Sequence, residues 1–95
     1  MPYELVYIVR PTVDEQGLAA LNGRVEKIIA GNGGEIVRRD DWGKRRLAYP
    51  ILKFTEGFYA VLQINLPPTA VRELERSLKL TEEVLRDLVV RVDGD

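Results

Sequence analysis

The feature that most limits how this chain can fold is the order in which its hydrophobic period changes. Residues 3–10 alternate, with Tyr3, Leu5, Tyr7 and Val9 on one side and Glu4, Val6, Ile8 and Arg10 on the other, the period of a strand. Leu18, Leu21, Val25, Ile28 and Ile29 then recur at spacings of three and four, the period of an amphipathic helix. Two strand-like stretches follow, over 35–51 and 58–66, then a helical pattern from Pro67 to about Leu80, then a last strand over 84–92. That order is βαββαβ. Right-handed crossovers fold it into an α+β, ferredoxin-like domain spanning 1–95. The expected sheet is four-stranded and antiparallel, ordered four, one, three, two, with two helices on one face.

Local chemistry sets the boundaries. Asp14 is placed to cap the first helix, because its carboxylate can accept from first-turn amides. Gly31-Asn32-Gly33-Gly34 ends that helix, since these residues tolerate the left-handed conformation of a helix stop. The long second strand should bend near Gly43, and Pro50, which cannot donate to a ladder, makes it an edge strand. Phe54-Thr55-Glu56-Gly57 is read as the turn into the third strand, which sends Phe58, Ala60, Leu62, Ile64 and Leu66 inward. Val71, Leu74 and Leu78 of the second helix and Leu88, Val90 and Val92 of the last strand are also read as inward, and Asp93-Gly94-Asp95 as a short frayed tail. The sheet face opposite the helices then carries Val6, Ile8, Tyr59 and Val61, an apolar area that calls for cover or a partner.

Much chemistry is excluded outright. The chain has no cysteine and no histidine, so neither a Cys–His nor a Ser–His pair can be built. The acidic pairs Asp14-Glu15, Asp40-Asp41 and Glu82-Glu83 are read as charge balancing, with no metal and no cofactor expected. The glycines at 31–34 lead out of a helix into a strand, the reverse of a phosphate loop. No apolar run approaches the ~20 residues that span a bilayer, and Met1-Pro2-Tyr3-Glu4 lacks the features of a signal peptide. The expectation is a cytoplasmic non-enzyme with neither a membrane nor a small-molecule substrate as partner.

Charge narrows the field further. The net charge is −1, yet residues 38–53 hold six cations (Arg38, Arg39, Lys44, Arg45, Arg46, Lys53) against Asp40 and Asp41, a local +4 on a body of −5. Arg and Lys attract phosphate, and Arg can form two parallel hydrogen bonds to its oxygens. On chemistry alone the better reading of a basic run is a solvated strand end, anchored here by Leu47, Tyr49 and Ile51, because such runs are common on surfaces.

The order of residues decides between these readings. Gly43-Lys44-Arg45-Arg46-Leu47-Ala48-Tyr49-Pro50-Ile51 resembles the signature of the bacterial small-subunit ribosomal protein six family. Gly43, Arg45, Arg46, Leu47, Ala48, Tyr49 and Ile51 all match, while Leu52 stands where the family places a small, polar or basic residue. The likeness extends to Tyr3-Glu4, to Gly57 with Phe58-Tyr59, to Leu66-Pro67 and to Leu88-Val89-Val90. It implies a structural constituent of the small ribosomal subunit that binds the central domain of its RNA together with small-subunit ribosomal protein eighteen. Under that resemblance Lys44, Arg45 and Arg46 are the first candidates for RNA contact, with Arg38, Arg39 and Lys53 behind them. Tyr49, Tyr59, Val6, Ile8 and Val61 are the candidates for the protein partner.

Two other readings share this topology. An RNA-recognition motif wants a basic-Gly-aromatic-small-aromatic-apolar-x-aromatic box, of which residues 56–63 supply only Gly57, Phe58 and Val61. An acylphosphatase-like enzyme couples a glycine-containing phosphate loop to an arginine after the first strand. Arg10 sits near that point, but no such loop follows it.

Overall fold

The first alternating segment becomes β1 (Pro2–Val9), the strand on which everything else is built. In a computed structural model that describes residues 1–92, β1 is followed by α1 (Glu15–Gly31), β2 (Glu35–Ile51) and β3 (Phe54–Asn65). A single 3₁₀ turn (Pro68–Ala70), α2 (Val71–Lys79) and β4 (Val84–Arg91) complete the chain. The sheet order is β2-β3-β1-β4, every neighbouring pair antiparallel, and this is the expected ferredoxin-like arrangement. The tail at 93–95 lies outside the described residues.

Alternation in β1 and β3 builds the core. Leu5, Tyr7, Leu62 and Ile64 lie beneath α1 and α2, where Leu21, Val25, Ile29, Leu74 and Leu78 close over them. Asp14 caps α1 as read, accepting from the Gly17 amide at 2.7 Å. Gly33 supplies the left-handed residue after the helix (φ +79°), and the Gly34 amide donates back to the Ile29 carbonyl at 2.9 Å.

Three expectations need correction. The hairpin between β2 and β3 turns at Leu52-Lys53, both with positive φ (48° and 72°), and β3 begins at Phe54. Positive φ at both turn residues suits a two-residue hairpin but ordinarily selects Asn or Gly, so Leu-Lys concealed it.

In β4 the inward frame is Asp87 and Val89, opposite Tyr7 and Leu5, while Leu88 and Val90 point to the open face and are 48% and 46% exposed. The apolar run Leu88-Val89-Val90 presents both frames equally. The true frame turns a carboxylate inward, where Lys79 of α2 meets Asp87 at 3.4 Å.

Ile8 is the third case. It lies on the face without helices yet is only 5% exposed. The outer part of β2 accounts for its cover. Between Arg46 and Ile51 the ladder to β3 lapses, and Leu47 within this stretch is buried. Tyr49 reaches Arg86 of β4, to whose guanidinium its hydroxyl is hydrogen-bonded. Because β2 and β4 are opposite edges of the sheet, the hairpin must curl back across the open face.

Candidate nucleic-acid and partner interface

Register places the basic run before its side chains are considered. Lys44 stands opposite Phe58, Arg45 opposite Gly57 and Arg46 opposite Glu56. Alternation therefore sends Lys44 and Arg46 to the helix side and Arg45 to the open side. Lys44 Nζ sits 5.4 Å from the centroid of the Phe58 ring, and the Arg45 guanidinium 5.3 Å from that of Trp42. The run is a ridge along an edge strand, presenting cations to both sides.

A bulge shapes that ridge. The ladder skips a residue between Asp41 and Gly43, and Gly43 takes φ +77°, a conformation glycine adopts without steric cost. Trp42 is the extra residue. It lies nearly parallel to Tyr59, ring centroids 6.0 Å apart, and donates its indole N–H to Asp40 Oδ2 at 3.1 Å. The result is a stacked aromatic pair beside Arg45, Trp42 exposed and Tyr59 half-buried, with the half-buried Val61 on the same face.

The remaining candidates divide. Arg38, Arg46 and Lys53 are exposed, and their side chains have no hydrogen bond or ion pair among the described residues. Arg39 differs: it donates to Tyr7 Oη at 3.1 Å, to Glu26 Oε2 at 3.2 Å and to Asp41 Oδ1 at 2.9 Å. It straps β2 to α1 and β1, so it is held within the fold and withdrawn from the ridge. Tyr7 in turn donates to Asn22 Oδ1 at 2.6 Å. Burial pushes the Tyr7 phenol above its ordinary value, opposed by the Arg39 hydrogen bond. For Arg39, burial works against the charge, but Tyr7 and Asp41 outweigh it and the pKa is raised. Arg39 therefore stays a cation and Tyr7 a neutral phenol at physiological pH.

Among the partner candidates, Tyr49 is 55% exposed, with Arg86 5.8 Å from its ring centroid, and Val6 is half-buried. Ile8, already covered by the chain itself, is unavailable to a partner. Sequence reasoning missed Arg86, Leu88 and Val90, which join the open face. Finding them required the β4 frame, and the only local signal was that Asp87 has a lysine, Lys79, one turn and a strand start before it.

A four-stranded sheet with two helices on one face and a cationic ridge along its edge strand defines a ferredoxin-like domain. The matching family model is that of Ribosomal protein S6, over residues 2–91. The chain is 44% identical over 91 residues to small ribosomal subunit protein bS6 of Caldanaerobacter subterraneus subsp. tengcongensis, covering 96% of each. It also superposes on the crystal structure of 30S ribosomal protein S6 from Thermotoga maritima with a TM-score of 0.91 and 35% identity, covering 96% of this chain and 86% of that one. This chain belongs to the ribosomal protein S6 family. It is a structural protein of the small ribosomal subunit and has no enzymatic role.

Proposed function

We propose that this chain helps fold the central domain of small-subunit ribosomal RNA and does so jointly with small-subunit ribosomal protein eighteen. The observation that carries this reading is the ridge: Lys44, Arg45 and Arg46 with Arg38 and Lys53, projecting from β2 and its turn in a chain whose net charge is −1. Cations that spend nothing on internal ion pairs are free to neutralise phosphate. The acidic remainder limits how tightly the chain can hold RNA alone, which is the reason for a protein partner. The partner lies along the outer edge of β2 and onto the adjacent open face, where Tyr49, Tyr59, Val6 and Val61 offer apolar area beside unpaired backbone groups.

The test is a titration of labelled central-domain RNA across a salt series, with and without protein eighteen. Each lost phosphate contact flattens the log-affinity versus log-salt slope by about 0.7–0.9. Lys44→Ala/Arg46→Ala should flatten it by one to two such units, and Arg45→Ala, on the other side of the strand, should differ. Unchanged slopes in folded variants, or equal RNA affinity with and without the partner, would overturn the reading.

A further inference from the structure

Beneath β2 on the helix side lies a half-open cavity of about 270 Å³. Its walls are Tyr7, Val9, Leu18, Ala19, Phe58 and Ala60, almost entirely apolar. Small residues border it on three elements, Ala19 on α1, Ala60 on β3 and Gly43 on β2, and leave its volume unfilled. Glu15, at the start of α1, and Asp41, on β2, border it. The Glu15 carboxylate has no partner among the described residues, whereas that of Asp41 is held by Arg39.

We infer that this cavity takes one aromatic or large aliphatic side chain from the protein partner, with a neighbouring lysine or arginine of that partner meeting Glu15. The inference rests on the partnership proposed above and locates its anchor. Size supports it: an apolar cavity on the order of 150 Å³ already accepts a benzene ring and stays dry without one. Charge supports a protein over RNA. Its lining holds two acids, Glu15 and Asp41, and no lysine or arginine, so phosphate is disfavoured while a basic peptide is attracted. Continuity supports a strand-like segment. Asp41 and Gly43 belong to β2, whose outer edge is unpaired, and an extended peptide along such an edge places alternate side chains into pockets beside it.

Ala19→Phe fills the cavity from within, using an exposed position on α1. Binding of protein eighteen is measured by calorimetry for the wild type, Ala19→Phe and Glu15→Gln, with thermal unfolding as the control. Ala19→Phe should weaken binding at least tenfold, and Glu15→Gln several-fold, more at low salt than at high salt. Independently of any variant, adding the partner to the wild type should shift the methyl resonances of Ala19 and Ala60. If the wild type binds but a folded Ala19→Phe binds equally well, or these methyl signals stay still, the cavity assignment is wrong while the partnership stands. If the wild type does not bind protein eighteen at all, the partnership itself fails and the cavity assignment falls with it.

Discussion

The two faces of the sheet are made by alternate residues of the same strands, yet they are closed in different ways. On one face Leu5, Tyr7, Leu62 and Ile64 are shut beneath two helices that the chain supplies immediately after β1 and β3. On the other, the buried large apolar side chains among the described residues are Ile8 and Leu47, the latter carried by the hairpin that curls in from the far edge, and Leu88 and Val90 remain about half exposed. The difference separates two tasks. The helix face holds the fold together, and the open face keeps apolar and aromatic surface available while hiding just enough of it to stay folded.

Paired truncations give the comparison its scale. Leu62→Ala, at a fully buried helix-side position, should cost about 2–5 kcal/mol, the range for deleting a core leucine side chain. Leu47→Ala on the open side should cost less, since the curled hairpin can settle into the space. Equal losses in denaturant unfolding would mean that the two faces contribute alike, and the contrast would break.

A smaller effect is expected at Gly57. A Cβ there would stand 2.6 Å from Ile8 Cγ2 and 2.9 Å from the Val9 carbonyl oxygen. Gly57→Ala should therefore cost about 1–3 kcal/mol through overpacking, read as a lowered midpoint with an unchanged denaturant slope. A neutral substitution would show that β3 can move away from β1 at that end. Tyr49→Phe should have the smallest effect. It removes the hydroxyl bonded to Arg86 but leaves the ring, so global stability should change by less than about 0.5 kcal/mol. Amide exchange across 47–54 should nevertheless speed up relative to the helix-side strands. Unaltered exchange would mean that Leu47 alone holds the hairpin down.

Sequence pattern exposed the helix-side core well, because Tyr3, Leu5, Tyr7 and Val9 and their counterparts in β3 are apolar on one side and mixed on the other. It failed where both sides are apolar, as at Leu88-Val89-Val90, since a period of two carries no information when every residue is alike. It failed again where non-glycine residues adopt positive φ, at Leu52-Lys53. The site was half legible. A run of cations is visible in any sequence, but sorting free Arg46 from pinned Arg39 depends on Tyr7, Glu26 and Asp41, which come from three different elements. The cavity beside Ala19 and Ala60 was invisible for a related reason: an absence of volume has no sequence signature until the elements are placed side by side.

The place of β1 also governs when the chain can fold. β1 is an inner strand, and both its neighbours, β3 and β4, follow it in the chain, with Tyr3 set against both Ile64 and Arg91. At about 5–20 residues per second of chain growth, β1 waits on the order of ten seconds before its last neighbour exists. Until then its apolar alternation has only α1 and whatever has emerged of β3 to cover it. Closure of the sheet on that side of β1 thus waits on β4, and until β4 appears one edge of β1 stays open to misassembly.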